Sequence, residues 1–122
     1  MYIRNISMEC IFCKIVKKEQ PADVVWEDED IIVFKDMYPK APVHMLVLSK
    51  KHIASLNDAE EQDRELLGRL LLVGKDVAKK LQINQGGWKA IFNVGRGGGQ
   101  VVDHLHLHVL GGWKGGETKE LP

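Results

Sequence analysis

Three histidines in the second half of the chain have the residue type and spacing of a chemical site. They alternate with aliphatic residues in the run His104-Leu105-His106-Leu107-His108-Val109. Successive side chains of a strand point to opposite faces, so the imidazoles would lie on one face and the aliphatic side chains on the other, against a core. Core packing does not need three histidines on one side of a strand. The pattern therefore indicates acid–base, nucleophilic or metal chemistry.

His106, the middle histidine, is the candidate nucleophile. A neutral imidazole can attack an electrophilic phosphorus or acyl centre, and its ordinary pKa of about 6.5 leaves it largely unprotonated at neutral pH. A metal bound by all three histidines is a competing interpretation. However, residues at positions i, i+2 and i+4 of a strand span about 13 Å, so they converge on one ion only if the strand bends strongly. A surface row of histidines without a role is the least favoured interpretation.

A glycine-rich segment, Asn93 to Gln100, comes directly before the histidine run. Glycines let the backbone approach an anion closely and present N–H groups to it. Glycine runs are also common in simple turns, but beside a candidate nucleophile this one predicts a phosphate-binding loop. Arg96 either neutralises part of the phosphate charge or is an exposed loop residue.

Cys10 and Cys13 form a C-x-x-C motif at the start of a predicted short helix, which places both sulfurs on one side. A closed structural zinc site needs four ligands, and the chain has no other cysteine, so two histidines would have to complete it. His52 and one of the clustered histidines are the available partners. Two buried cysteines without a metal are the alternative. Thioredoxin-like redox chemistry would need a different βα context.

Hydrophobic periodicity divides the chain into short strands around one long helix. The predicted helices cover residues 10–18 and a segment from a cap at Asn57 or Asp58 to about Leu81. The predicted strands cover residues 24–27, 31–35, 44–48 and 88–94, followed by the histidine strand. Because the strands are mostly neighbours in sequence, the pattern favours an α+β domain with a largely antiparallel sheet.

Length and charge limit the number of domains and the kinds of partner. The 122 residues fit a single domain, and 17 basic and 17 acidic residues give a formal net charge of zero. This balance gives no electrostatic argument for a nucleic-acid or membrane partner. No apolar run approaches the roughly 20 residues of a membrane span and no signal peptide is visible, so we expect a cytoplasmic protein. Residues 1–8 are predicted to be a loose extension and residues 9–122 the domain.

Together these motifs resemble the histidine triad (HIT) family, and within it the Hint-type nucleotide phosphoramidases. The family signature is His-x-His-x-His with apolar residues between and after the histidines, and it stands here as His104 to Leu110. The likeness also includes Cys10-Ile11-Phe12-Cys13-Lys14-Ile15, Phe34-Lys35-Asp36, Ala41-Pro42-Val43-His44, Lys50-Lys51-His52-Ile53, Gly98-Gly99-Gln100 and Gly111-Gly112.

The resemblance implies a fold and an activity. The fold would be a HIT-like α+β domain with a five-stranded antiparallel sheet, one long helix and a short N-terminal helix, its sheet joined to that of a second subunit in a homodimer. The activity would be hydrolysis of purine nucleoside 5′-phosphoramidates or acyl-nucleotides, of the adenosine 5′-monophosphoramidase type. A covalent nucleotidyl-histidine at His106 would form first, and water would then release the nucleoside monophosphate.

The resemblance also assigns roles to individual residues. His106 would be the nucleophile, with His44 behind it as its orienting partner and His108 on a phosphate oxygen. Asp36 would bind the ribose hydroxyls. The whole nucleotide site would comprise Phe12, Phe34, Asp36, Met37, Leu46, Asn93, Gly99, Gln100, Val101, His106 and His108. Structural zinc would be held by Cys10, Cys13, His52 and His104, so the chemistry itself would require no cofactor.

Three departures from the family pattern bear on substrate choice. Val101 stands where several Hint proteins carry a serine that can bond the leaving group, and Asp103 stands where tyrosine is common. The tail from Trp113 onward does not match the usual C-terminus. Two other functions stay open: hydrolysis of dinucleoside polyphosphates, and nucleotide binding by a regulatory module whose hydrolysis is incidental. The residues do not decide between adenine and guanine.

Overall fold

The fold comes from a computed structural model, which describes residues 10–114 of the chain. The predicted loose extension over residues 1–8 lies outside these residues, and so does most of the tail that follows Trp113. Between residues 10 and 114, no helix is long and apolar enough to cross a membrane.

A five-stranded antiparallel sheet forms the centre of the described chain. Its strands are β1 (Val24–Glu27), β2 (Ile31–Lys35), β3 (Val43–Ser49), β4 (Trp88–Ile91) and β5 (His106–Gly111), and their order across the sheet is β1-β2-β3-β5-β4. The helices are α1 (Ile11–Val16) and α2 (Arg64–Lys80). The predicted α+β class, with one long helix and a short N-terminal helix, is confirmed. The joining of two sheets in a homodimer stays a prediction.

The sheet carries an apolar core on each face, because side chains along its central strands alternate between the two faces. On one face, Val33 and Val47 pack with Leu70 and Val77 of α2. The core on the other face contains Phe12, Ile15, Ile32, Phe34, Leu46 and Leu48. Helix α1 belongs to this second core, which therefore borders the face that carries the imidazoles.

The histidine run keeps the predicted alternation, although β5 begins later than predicted. Leu105, Leu107 and Val109 lie in the core under α2, whereas the rings of His104 and His106 contact Phe12 on the other face. The strand begins at His106, and His104 lies in the bend before it. The N–H of Leu105 donates to the carbonyl of Ile53 at 2.7 Å instead of to a neighbouring strand, so the ladder starts only after it.

Helix α2 begins at Arg64, and the predicted cap at Asn57 or Asp58 is wrong. Ser55 caps a separate 3-10 turn, Leu56–Asp58, and a second turn, Glu61–Asp63, is closed by a reciprocal capping box. Each turn satisfies its own end groups, so the long helix starts only after both of them. The acidic residues before Arg64 thus belong to the turns that precede the helix.

Candidate active site and metal centre

A cavity of about 1000 Å³ lies on the sheet face that carries the imidazoles. The predicted nucleotide-binding residues that line it are Phe12, Phe34, Asp36, Met37, Leu46, Asn93, Gly99, Val101, His106 and His108. Among residues that the sequence did not single out for this site, Ile15, Tyr38, Lys40 and Val102 also line it. The helical spacing of α1 could have indicated Ile15. The cavity therefore brings together every predicted nucleotide-binding residue except Gln100.

His106 has the geometry of a nucleophile. Its ring is buried, with 7% of the residue surface exposed, and Nδ1 lies 2.6 Å from the main-chain oxygen of His104. Because a carbonyl oxygen only accepts, we assign the ring proton to Nδ1, which leaves the lone pair on Nε2. Burial lowers the pKa of His106, so the ring is neutral at pH 7. Neutral Nε2 is the atom that can attack an electrophile.

His44 and His108 form a second pair of rings whose protons are fixed through the backbone. Nδ1 of His44 accepts the N–H of Lys40 at 3.0 Å, so its own proton is on Nε2. That Nε2 lies 2.9 Å from Nδ1 of His108 and donates to it. The proton of His108 is then on Nε2 and can be donated to a bound group. Burial lowers the pKa of both rings, that of His108 to about 4.

The prediction that His44 orients His106 is wrong, because the strand register places it behind His108. Across β3 and β5, Leu48 lies opposite His106 and Leu46 lies opposite His108. His44 is two residues further along β3, opposite Leu110, and is therefore diagonal to His108. The main-chain oxygen of His104, rather than a side chain, orients His106.

Asp36 follows the end of β2 and borders both the cavity and the histidine pair. Its Oδ1 accepts the N–H of Tyr38 at 2.8 Å, and its Oδ2 lies 3.3 Å from Nε2 of His44. The carboxylate is thus held by a backbone N–H on one side and lies close to the ring of His44 on the other. Its predicted contact with ribose hydroxyls stays a prediction.

Apolar rings form the wall nearest the nucleophile. The ring of Phe12 meets Phe34 edge-on at 5.5 Å and His106 edge-on at 5.1 Å between centroids. Both phenylalanines and Leu46 are buried, whereas Met37 is 71% exposed at the rim of the cavity. Such a wall suits a flat apolar group that lies beside His106.

The glycine-rich segment forms a tight loop beside the histidines, and β4 ends at Ile91, before the residue 94 end that the sequence predicted. Gly95 (φ 72) and Gly99 (φ 88) take left-handed backbone conformations on either side of a 3-10 turn, Arg96–Gly98. Only glycine adopts these conformations readily. The amide of Asn93 donates to the carbonyl of Gly98 at 2.8 Å and closes the loop.

Gln100 does not line the cavity, and its predicted contact with the nucleotide stays a prediction. Its buried carboxamide bonds main-chain groups of Gly95, Ala54 and Val102 instead. A buried amide with all its partners inside the protein has no donor left for a ligand.

Arg96 pairs with Asp103 across the glycine loop, so its charge is already partly neutralised. Its guanidinium donates to both carboxylate oxygens of Asp103, at 2.8 and 3.1 Å, and to the carbonyl of Gln100 at 2.7 Å. From the sequence, Arg96 is either a phosphate ligand or an exposed loop residue. Its pairing with Asp103 was not predicted. Opposite charges flanking a glycine loop are the signal that could have found it.

Cys10, Cys13, His52 and His104 come together at one place, as the predicted ligand set requires. Sγ of Cys13 lies 3.1 Å from Nδ1 of His52 and 3.5 Å from Nδ1 of His104, and the two Nδ1 atoms are 3.2 Å apart. Sγ of Cys10 lies 3.4 Å from Nδ1 of His104. Zinc bonds of about 2.0 Å to nitrogen and 2.3 Å to sulfur give tetrahedron edges of roughly 3.3–3.8 Å. The four residues therefore fit a zinc ion.

The protonation of His104 also suits a metal ligand. Its Nε2 lies 2.7 Å from the carbonyl oxygen of Ser49 and donates to it, so the lone pair of Nδ1 faces the cysteines. Burial lowers the pKa of His104 to about 4 and lowers that of His52, which keeps both rings neutral.

A second group of potential ligands, Asp36, His44 and His108, does not fit a metal in this way. Nε2 of His44, the atom that faces the group, carries the ring proton because Nδ1 accepts a backbone N–H. A protonated nitrogen cannot be a ligand. The hydrogen bonds therefore separate a metal centre from a proton-donating pair.

Comparison with known proteins gives the class of this domain. Residues 9–119 match the family described as "Scavenger mRNA decapping enzyme C-term binding". "Protein HitA" of Neisseria gonorrhoeae is 45% identical over 102 residues, which are 84% of this chain and 94% of that protein. The chain belongs to the histidine triad family, as the motifs around His104 and Cys10 predicted.

Solved structures of relatives have the same fold. A HIT family hydrolase from Legionella pneumophila Philadelphia 1 is 47% identical with a TM-score of 0.85, and the match covers 87% of this chain and 95% of that one. A zinc-bound histidine triad family protein from Mycobacterium smegmatis is 32% identical with a TM-score of 0.78, over 89% of this chain and 78% of that one. The fold is therefore that of the HIT family hydrolases.

Proposed function

We propose that this protein hydrolyses purine nucleoside 5′-phosphoramidates and related acyl-nucleotides through a covalent nucleotidyl-histidine at His106. One observation carries the proposal. The Nδ1–H of His106 is bound by its own main chain, so the free lone pair of a neutral, buried Nε2 is available in a large cavity. His108, with its proton on Nε2, is the next residue on the same face of β5. A nucleophile and a hydrogen-bond donor thus stand side by side.

In the first step, Nε2 of His106 attacks the α-phosphorus. A new P–N bond forms to His106 as the P–N bond to the leaving amine breaks. The amine leaves with the electron pair of the broken bond and takes a proton from water, while the Nε2–H of His108 donates a hydrogen bond to a phosphate oxygen. In the second step, water attacks the phosphorus of the nucleotidyl-histidine and the P–N bond to His106 breaks. The electron pair of that bond returns to Nε2, the proton of the attacking water is released to solvent, and the nucleoside monophosphate leaves. An acyl-nucleotide would react in the same way and release a carboxylate.

The remaining lining residues suit the parts of a nucleotide. Phe12, Phe34 and Leu46 offer an apolar wall for a purine, and the exposed Met37 would close over its outer side. Asp36 is near enough to the histidine pair to receive ribose hydroxyls while phosphate lies at His106. The glycine loop around Gly99 lines the cavity beside these rings and would cradle the phosphate.

The nucleophile can be tested by trapping the intermediate. We expect a reaction with adenosine 5′-phosphoramidate, quenched in acid-free denaturant, to show protein carrying one nucleotide by intact-mass spectrometry. His106→Ala should show none and should lose turnover by about 10⁴-fold or more, because no other neutral imidazole has a free nitrogen at the same place. Gln62→Ala, at an exposed position before α2, is the matched control and should keep the adduct. Turnover of His106→Ala at the parent rate would exclude the proposal.

Dinucleoside polyphosphate hydrolysis is the second candidate function. The same imidazole could attack a phosphoanhydride, and Ile91 and Leu110 line space beyond His108 that could hold a larger leaving group. The ratio of kcat/KM for a phosphoramidate to kcat/KM for a dinucleoside polyphosphate separates the two. A protein that binds AMP but turns over neither would be a nucleotide-binding regulatory module.

We also propose a structural zinc ion at Cys10, Cys13, His52 and His104. The ligand spacing and the neutral histidines support it, and a zinc-bound family member has the same fold. When bound, zinc would cross-link α1 to the segments around β3 and β5, and it would take no part in the reaction. The ring of His104 would therefore bind the structural zinc, and its carbonyl would accept the Nδ1–H of His106.

The active form is proposed to be a cytoplasmic homodimer without a nucleic-acid or membrane partner. Leu71 and Leu72 are 49% and 57% exposed on α2, which is unusual for neighbouring leucines and supports a covered surface. Reduced Cys10 and Cys13 suit a reducing compartment. The zero net charge gives no attraction for nucleic acid or anionic lipid.

A further inference from the structure

Gln100 is the most completely bonded polar side chain near the proposed phosphate site. Only 2% of its surface is exposed. Its Oε1 accepts the N–H of Gly95 at 2.9 Å, and its Nε2 donates to the carbonyls of Ala54 at 2.8 Å and Val102 at 2.9 Å. Both amide hydrogens are therefore used inside the protein. Such a buried group rigidifies what it bonds, and losing it leaves several main-chain groups unsatisfied.

The three partners of Gln100 belong to three different parts of the site. Gly95 begins the glycine loop with a φ of 72, and fixing glycines in one conformation costs more entropy than fixing other residues, so the loop needs bonds that hold it. Val102 ends the loop two residues before His104. Ala54 follows the segment that carries His52 and that also bonds Leu105 through Ile53. One carboxamide thus ties both ends of the loop to the segment that follows β3.

The loop that Gln100 holds has a main-chain donor to offer. Gly99 and Val101 line the cavity, on either side of Gln100. Within residues 10–114, the N–H of Gly99 donates to Arg96 and that of Gln100 to Gly95, whereas that of Val101 makes no hydrogen bond. An N–H without a partner beside a candidate phosphate site is what an anion needs.

We propose that Gln100 is a positioning residue that holds the main chain of Gly99 to Val102 so that the Val101 N–H meets the nucleotide phosphate. The proposal rests on the proposed function, since it takes the nucleotide to be the ligand. Gln100 itself does not touch the nucleotide. It also accounts for Val101, whose side chain is 81% exposed and cannot supply a hydroxyl: at this position the backbone is the part that binds.

The Arg96–Asp103 pair does not hold the loop equally well. Both side chains are largely exposed, at 66% and 63%, so water competes for their hydrogen bonds and salt screens their charges. The bonds of Gln100 are shielded from both effects. We therefore expect the loop to depend on the inner amide much more than on the outer ion pair.

The test compares AMP with adenosine, which differ only in the phosphate. In Gln100→Met, which keeps an unbranched side chain of similar length but has no amide, we expect AMP affinity to fall about tenfold or more while adenosine affinity changes less than about twofold. Asp103→Asn should change the AMP-to-adenosine affinity ratio by less than about threefold. Isothermal titration gives both constants. Because the nucleoside contacts are unchanged, a loss limited to AMP assigns the effect to the phosphate.

Two further measurements separate positioning from direct contact and from general damage. The side-chain NH₂ signals of Gln100 in an NMR titration should stay unshifted and slow to exchange when AMP is added; signals that move would overturn the proposal. Asp63→Asn weakens a buried capping box remote from the cavity and is the stability-matched control. If Gln100→Met lowers AMP and adenosine affinity in parallel, or changes neither, the proposal is wrong.

Failure of the proposed reaction and failure of the role proposed for Gln100 give different results. If Gln100→Met does not fold, Gln100→Asn shortens the side chain by one methylene and should show the same selective loss, since it cannot reach all three partners. If the parent protein binds AMP but forms no adduct with His106, the proposed reaction fails while the role of Gln100 stands or falls by the affinity ratio. A parent that binds AMP no better than adenosine overturns the role of Gln100 directly.

Discussion

At the scale of single residues, main-chain groups decide which nitrogen of each histidine can react. The carbonyl of His104 holds the proton of His106 on Nδ1, and the carbonyl of Ser49 holds that of His104 on Nε2. The N–H of Lys40 donates to Nδ1 of His44, which places the ring proton of His44 on Nε2. The backbone group that each histidine meets therefore fits it for a different proposed role: nucleophile, metal ligand or hydrogen-bond donor.

His44 offers a direct test of this arrangement. We expect His44→Leu to lower kcat roughly 10- to 100-fold with little change in KM, because His108 would lose the partner that keeps its proton on Nε2. His44→Gln can still donate towards His108 and should recover part of the rate. The ¹⁵N chemical shifts of His108 should report mixed tautomers in the leucine variant. A parent-like kcat in His44→Leu would show that the pair has no role in the reaction.

At the scale of elements, the start of α1 joins the proposed metal centre to the proposed nucleophile. Its two cysteines face the cluster with His52 and His104, while Phe12 between them packs on His106. Six residues of helix cannot hold this position through helix propensity alone. The cluster is therefore expected to fix the wall of the cavity as well as the fold.

Metal removal should be visible without measuring turnover. We expect purified protein to contain about one zinc per chain by elemental analysis, and a chelator to lower its Tm by on the order of 10 °C. Cys13→Ser should contain no zinc and should have a Tm that the chelator leaves unchanged. Lys17→Ala, an exposed change after the same helix, is the control and should behave as the parent does. A zinc-free parent with a chelator-independent Tm would rule out the proposed metal.

The sequence predicts those parts of the fold that follow from local periodicity. The alternation through Val109 and the apolar run at Ile31–Lys35 are set by burial on known faces, and both strands are found. The predicted start of α2 was wrong because two capped 3-10 turns precede the helix. Helix propensity does not tell which of several possible caps begins the long helix. The late start of β5 depends on a bond between Leu105 and Ile53, which are distant in sequence.

In the site, too, local sequence patterns predict some features, and others depend on contacts between residues distant in sequence. Residue types were enough to gather the cysteines and histidines and to name His106. The partner of His44 depends on the register of β3 with β5, which no local pattern specifies. The role of Gln100 depends on which way one side chain turns in the folded loop. A glutamine beside a glycine loop suggests a ligand-binding residue, whereas the buried side chain of Gln100 bonds the protein's own main chain.

At the scale of the whole molecule, the sheet separates two apolar cores that have different roles. The core under α2 provides most of the burial, and the core under α1 forms the wall of the cavity. The exposed side of α2 is distant from the reactive rings, so association of two chains there would leave the cavity chemistry local to each chain.

Association can be tested at the exposed leucines. We expect the parent to sediment as a dimer, and the double change Leu71→Lys with Leu72→Lys to shift it towards monomer, because two charges would be buried at the contact. Gln62→Lys, at an exposed position before α2, is the control. Sedimentation velocity over a range of concentrations gives the answer. A parent that stays monomeric at micromolar concentration would exclude the homodimer.

The bond from His106 to the carbonyl of His104 has a consequence for protein engineering. Transplanting the alternating triad onto another sheet would carry over the rings but not their reactivity, since an ordinary ladder directs its carbonyls at neighbouring strands. The recipient would also need a bend two residues ahead of the first strand residue, so that the carbonyl of one histidine turns back toward the next imidazole. Grafts that reproduce this irregularity should gain a nucleophile; regular ones should yield only a histidine stripe.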